Sequence, residues 1–118
     1  MPLVKISELE GAALDWAVEE AQGYGNRYLE FWNIGGDKRF IYCQVGHSPS
    51  THWDQGGPII EREKISIRQW TNVPVVHAYM PLDGAEWSED GASPLIAAMR
   101  CYVASKLGES IEIPEELT

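Results

Sequence analysis

The sequence predicts an α+β fold, in which a small antiparallel sheet carries two main helices and the C-terminal helix is central. Three observations lead to this prediction. The chain has 118 residues, a length that suits one domain with one core. One segment near each end repeats apolar residues with the period of a helix, and several stretches between them favour strands. We therefore treat residues 1–118 as a single domain.

The N-terminal helix is predicted to begin at Ser7. Ser7 and Glu10 have the spacing of a capping box, in which each side chain accepts one of the free backbone N–H groups. Trp16 lies on the apolar stripe of this helix, whereas Asp15 and Glu19 mark the side expected to face solvent.

The C-terminal helix has the clearest boundaries in the sequence. Ser93 suits the N-cap, Pro94 suits the first helical position, and Gly108 suits the end. The helix is apolar nearly all the way round, and Arg100 and Lys106 are among its few polar residues. Such a helix is either central in the fold or shared with a partner subunit, so we also expect a homodimer.

The remaining elements are predicted from strand-forming residues and from turn residues. Strands or hairpins are expected over residues 3–6, 24–45, 64–70, 74–80 and 111–113. Loops are expected over residues 46–58 and 81–91. The first loop is long for a small domain, and loops of that length often carry function.

The charge of the chain excludes some classes of partner. There are 9 Lys and Arg residues against 18 Asp and Glu residues, which gives a formal net charge of −9. General binding to nucleic acid or to an anionic membrane surface is disfavoured, because both need clustered cations. The N-terminus lacks the apolar run of a signal peptide and no stretch is long enough to span a membrane, so we expect a cytoplasmic protein.

The long loop contains the first candidate binding site. Its central residues offer an aromatic ring for stacking, polar groups for hydrogen bonds and glycines for close backbone approach, and two arginines elsewhere in the chain suit an anion. The candidate ligand-binding residues are Trp53, Asp54, Gln55, Gly56, Gly57, Arg62 and Arg100. The alternative is structural: a turn that needs both glycines, with Trp53 packed over the core.

A second cluster combines Glu61, Glu63 and Arg100. An arginine in the middle of an apolar helix needs a partner, so we expect an ion pair between Arg100 and one of these glutamates. The alternative is an anion-binding arginine. His47, His52 and Asp54 match no strong metal-binding pattern, and we predict no metal, cofactor or catalytic residue.

Three blocks of the sequence resemble NinX-type phage proteins. The blocks occur in the same order as in the family and span nearly the whole chain, at residues 7–18, 48–63 and 94–105. They read SELEGAALDWAV, SPSTHWDQGGPIIERE and PLIAAMRCYVAS. The resemblance implies a phage or prophage accessory protein that acts in the bacterial cytoplasm. It does not imply an activity.

Two functional hypotheses follow. The first is a non-catalytic protein that binds a small anionic or nucleotide-like ligand and sequesters a host defence signal, because Trp53, Gln55 and Arg62 suit such a ligand. The alternative is an acidic protein–protein interaction module that modulates a host enzyme, because negative charge complements basic surfaces.

Overall fold

The computed structural model describes residues 2–23, 30–34, 37–41, 48–82, 85–113 and 117. The N-terminal part contains strand β1 (Leu3–Lys5), a 3-10 turn (Ile6–Glu8), helix α1 (Gly11–Ala21), and strands β2 (Glu30–Ile34) and β3 (Asp37–Ile41). The C-terminal part contains helix α2 (Trp53–Glu63), strands β4 (Ser66–Arg68), β5 (Val76–Leu82) and β6 (Ala85–Gly91), helix α3 (Pro94–Leu107) and strand β7 (Ser110–Glu112). The ends of the predicted 24–45 hairpin lie outside the described residues.

The described strands form three antiparallel sheets. One has the order β4-β5-β6, and the other two are the pairs β1-β7 and β2-β3. The terminal pair joins the two ends of the chain, with Val4 opposite Ile111. The predicted α+β class is therefore confirmed, with its strands divided among three small sheets.

Helix α3 is the centre of the fold, as predicted. It packs against β5 and β6 on one side and against α1 and α2 elsewhere, and residues such as Met99 and Val103 are fully buried. The Ile96 N–H donates to Ser93 Oγ at 3.2 Å, which confirms the predicted cap. Because α3 is surrounded within one chain, the expected homodimer needs another surface.

The start of α1 differs from the prediction. Residues Ile6–Glu8 form a 3-10 turn and α1 begins at Gly11, with no side-chain cap from Glu10. Asp15 and Glu19, which were expected to face solvent, are 7% and 0% exposed. More of the surface of α1 is buried than its apolar residues indicate, because other segments besides α3 pack against this helix.

The carboxylate of Asp15 explains part of this burial. Asp15 Oδ1 accepts the backbone N–H of Ser50 at 2.9 Å. The pair ties the start of the 48–63 block to α1, which precedes it by 35 residues. A buried polar group is stable only when it is hydrogen-bonded, so this acid is structural.

The predicted loop over residues 81–91 is mostly a strand. β6 pairs with β5 along its whole length, from Gly91 opposite Val76 to Ala85 opposite Leu82. Trp87 packs against the core, whereas the side chain of Asp90 is exposed. Acidic residues disfavour strands, but pairing with a neighbouring strand and the burial of one face outweigh that preference.

Candidate functional site

The described part of the predicted 46–58 loop, which begins at Ser48, is a short turn followed by a helix. Residues 53–57 form the first turns of α2, and Ser48, Thr51 and His52 lie in the turn before it. The Ser48 backbone N–H donates to Gln55 Oε1 at 2.6 Å. Gln55 therefore closes the turn against its own helix, and this contact gives it a structural role.

The two glycines of the block have different surroundings. A Cβ atom on Gly56 would lie 2.5 Å from the Pro49 carbonyl oxygen and 2.6 Å from Leu95 Cδ2. At Gly57 the nearest atom outside its two chain neighbours and the helix backbone is Trp53 Cε3, 4.0 Å away. Gly56 is thus required for close packing between the turn, α2 and α3, whereas Gly57 is not.

Trp53 and Arg62 lie on the outward side of α2. Trp53 is 56% exposed, so it does not pack over the core as the structural alternative expected. We call this surface the α2 face and define it by the exposed residues of the helix, Trp53, Asp54, Pro58, Glu61 and Arg62. None of these five residues lines the described cleft of the protein.

Arg62 is held at the edge of the α2 face. Its Nε donates to Glu63 Oε2 at 2.9 Å, and its guanidinium carbon lies 5.9 Å from the centre of the Tyr102 ring. Lys106 Nζ lies 3.5 Å from the other oxygen of Glu63. The hydrogen bond from Arg62 lowers the pKa of Glu63, and the same contact raises the pKa of Arg62.

Arg100 has partners other than the predicted glutamates. Its Nε donates to the Leu9 carbonyl at 2.7 Å, and its Nη1 donates to the Asp90 carbonyl at 2.8 Å. Tyr102, which contacts Arg62, is two residues further along α3 and so about 200° around the helix. The ion pair with Glu61 or Glu63 is therefore replaced by backbone contacts, and the two arginines face different sides of α3.

Arg100 lines an open cleft of about 440 Å³. The other lining residues are Ser7, Pro74, Val75, Glu89, Asp90, Gly91 and Ala92. Burial raises the pKa of Glu89, and the positive charge of Arg100 opposes that shift. The cleft therefore places one cation and two acids around a space of the size that small ligands use.

The carboxylates of this cleft are candidate site residues that the sequence pattern did not reveal. Glu89 and Asp90 were assigned to an acidic loop, and no pattern placed them beside Arg100, which follows ten residues later. Their strand pairing is the missing information: β6 runs back along β5 and ends against the side of α3 that carries Arg100. The sequence does contain one relevant signal. Glu89 and Asp90 come only a few residues before the cap of α3 at Ser93, so they have to lie near the start of that helix.

One of the two histidines weighed as metal ligands in the sequence, His52, lies in the described part of the chain. His52 Nδ1 lies 2.7 Å from Ser48 Oγ, and among the described residues no three His, Cys, Asp or Glu residues form a group that could hold a metal ion. His47 lies outside those residues. No helix found among them is long and apolar enough to cross a membrane.

The fold and these two surfaces define a small α+β protein with an exposed Trp–Arg helix face on one side of its central helix and an arginine-lined cleft on another. The family model described as Bacteriophage P22, NinX matches residues 5–106. The chain belongs to this family, and it is a phage accessory protein. The family assignment confirms the resemblance of the three sequence blocks and assigns no activity by itself. No curated protein matches the chain.

Proposed function

We propose that this phage protein is a non-catalytic interaction module of the bacterial cytoplasm, which docks on a host protein through the α2 face. The observation that carries the proposal is the exposure of Trp53, 56% of whose surface is open to solvent. Exposed Trp and Arg residues are the side chains that most often dominate the free energy of protein–protein binding. Trp53 and Arg62 stand at opposite ends of α2, which has 11 residues.

The shape and charge of the surface favour a protein partner over an enclosed ligand. The α2 face consists of exposed side chains of one helix that do not line the described cleft, whereas small ligands bind in concave sites that cover most of their surface. Gly57 leaves the space beside the Trp53 ring open, so a partner side chain has room to pack there. The net charge of −9 favours a partner with a basic surface, such as a host enzyme that acts on nucleic acid.

The test combines capture of a partner with a matched pair of tryptophan variants. A host protein captured from lysate is identified, purified and titrated against the wild type, Trp53→Ala and Trp70→Ala. Trp70 is the matched control, because it is 47% exposed but lies outside α2. We expect Trp53→Ala to weaken binding by about thirtyfold, which is the effect of a 2 kcal/mol hot spot.

The proposal fails if Trp53→Ala binds the purified partner as tightly as the wild type. It also fails if both tryptophan variants weaken binding equally, because the loss would then not depend on α2. Circular dichroism of each variant separates a binding defect from a folding defect.

A second candidate function is binding of a small anionic or nucleotide-like ligand, with sequestration of a host defence signal as its purpose. The observation that favours it is the cleft of about 440 Å³ beside Arg100. Arg100 already donates to two backbone carbonyls, and its remaining N–H groups are the ones that suit an anion. This candidate ligand site lies beside Arg100, on a different side of α3 from the Trp53 block in which the sequence predicted it.

Glu89 provides the test of this second candidate. Titration calorimetry with nucleotides and cyclic dinucleotides is carried out on the wild type and on Glu89→Gln. The substitution removes a negative charge from the cleft and leaves Arg100 in place, so an anion bound there binds more tightly to the variant. Absence of heat with both proteins, or equal affinity in both, contradicts the cleft as an anion site.

A further inference from the structure

The three-stranded sheet has one covered side and one open side. On β5, Val76, Ala78 and Met80 are buried in the core that α3 occupies. The alternate residues His77 and Tyr79 are partly exposed, because successive side chains of a strand point to opposite faces. The side of the sheet opposite α3 is therefore open at this strand.

Aromatic rings form a continuous row on the open side. The ring centres of Tyr79 and His77 are 5.7 Å apart and the planes differ by 29°. The Trp70 ring follows at 6.4 Å from His77. Asp90 Oδ1 lies 2.7 Å from His77 Nδ1 and orients that ring, and the Arg68 guanidinium carbon lies 6.0 Å from the centre of Tyr79. We call these five residues the aromatic row.

We propose that the aromatic row binds a proline-rich segment of another protein in the polyproline II conformation, with basic residues flanking the prolines. Proline-rich segments dock on surfaces lined by aromatic side chains, and their stiff helix loses little entropy on binding. Two prolines three residues apart are separated by about 9 Å along this helix. Rings spaced at 5.7 and 6.4 Å offer successive contacts over such a distance.

The charge of the protein selects this partner over single-stranded nucleic acid, which also stacks on aromatic rings. The row contains one arginine and one exposed aspartate, Arg68 and Asp90, so it does not form a cationic path for phosphates. The whole chain carries a net charge of −9, which attracts basic flanking residues and repels a polyanion.

The aromatic row shares no residue with the α2 face, so each proposal can fail without the other. In this experiment Trp70→Ala is the test variant and Trp53→Ala is the control. The probe is a fluorescently labelled oligoproline peptide with arginines at both ends, and its anisotropy is followed during titration with the full chain. Two further probes are the same peptide with alanine in place of proline and an oligothymidylate.

We expect the proline peptide to bind and Trp70→Ala to weaken its binding by at least about tenfold, with no change in Trp53→Ala. Trp70→Phe, which keeps a ring, retains most of the affinity, and it serves in place of Trp70→Ala if that variant does not fold. Arg68→Ser binds the cationic peptide as well as or better than the wild type.

Four results overturn the proposal. They are no binding of the proline peptide, equal binding of the alanine peptide, loss of binding in Trp53→Ala but not in Trp70→Ala, and preferential binding of the oligothymidylate. In the last case Arg68→Ser weakens binding, and the row is then a nucleic-acid surface. Equal binding of the alanine peptide identifies attraction by charge alone.

Discussion

Alanine in place of either of the two adjacent glycines near the start of α2 is predicted to destabilise the protein at Gly56 and not at Gly57. A Cβ atom at Gly56 meets the Pro49 carbonyl oxygen at 2.5 Å and Leu95 Cδ2 at 2.6 Å, whereas ordinary contacts begin at 3.4 Å. The Leu95 side chain has other rotamers, but the Pro49 oxygen belongs to the backbone. That backbone is held by the neighbouring bond from Ser48 to Gln55, so the turn has to shift by nearly 1 Å to admit a methyl group.

The magnitudes follow from packing and helix propensity. Overpacking of this kind destabilises a core by about 1–3 kcal/mol, and a weakened turn hydrogen bond adds about 0.5–1.5 kcal/mol. Alanine recovers about 1 kcal/mol over glycine inside a helix. These ranges give a net loss for Gly56→Ala of about 0.5–3.5 kcal/mol, centred on about 2 kcal/mol. Apart from its chain neighbours and the helix backbone, a Cβ atom at Gly57 meets only Trp53 Cε3, at 4.0 Å. Gly57→Ala gains between about 0 and 1 kcal/mol, because the following Pro58 disfavours a helical residue with a Cβ atom before it and so offsets part of the helix propensity of alanine.

Urea unfolding of the wild type and both variants measures the difference directly. For a slope of about 1–2 kcal/mol per molar urea, the midpoints of the two variants differ by about 1–3 M, with Gly57→Ala the more stable. Equal midpoints, or a more stable Gly56→Ala, refute the argument that Gly56 is a packing residue.

Three further predictions concern caps and buried acids. Ser93→Ala removes the cap of α3 and lowers the free energy of unfolding by about 1 kcal/mol, whereas Ser93→Asp retains it; thermal unfolding of both checks this. Asp15→Ala leaves the Ser50 N–H without its acceptor and destabilises by about 1–3 kcal/mol, and Asp15→Asn loses less, as measured in urea. Burial raises the pKa of Glu89 above its ordinary value of 4.5, so the folded chain binds more protons than the unfolded chain between the ordinary and the raised pKa. The free energy of unfolding therefore falls as the pH rises from the ordinary pKa of Glu89 through its raised pKa. The advantage of Glu89→Gln over the wild type therefore grows from acidic to neutral pH, and a constant difference contradicts the assignment.

Local rules of sequence were sufficient where a residue acts on its own helix. The boundaries of α3 follow from Ser93, Pro94 and Gly108, since caps and stops are set by the few residues around them. Its central position follows from an apolar surface that extends nearly all the way round. Both predictions depend on information within about fifteen residues of chain.

The same rules failed where a distant segment decides the outcome. Asp15 and Glu19 have the spacing of a solvent-facing stripe, yet both are buried. Asp15 accepts a hydrogen bond from the backbone of Ser50, and nothing in the sequence near either residue predicts that contact. The strand over residues 85–91 was missed for a similar reason, because its pairing with β5 outweighs the low strand preference of its acidic residues.

The structure divides the 48–63 block, which sequence reasoning treated as one site, into two kinds of residue. Gln55 and Gly56 hold the turn against α2 and α3, so substitutions there change stability first and binding only as a consequence. Trp53 as a whole residue and the side chain of Arg62 are each more than half exposed. Substitutions there therefore change the surface of the protein with little effect on the core. A defect caused by Trp53→Ala in a folded protein therefore reports on binding, whereas the same defect in Gly56→Ala reports on folding.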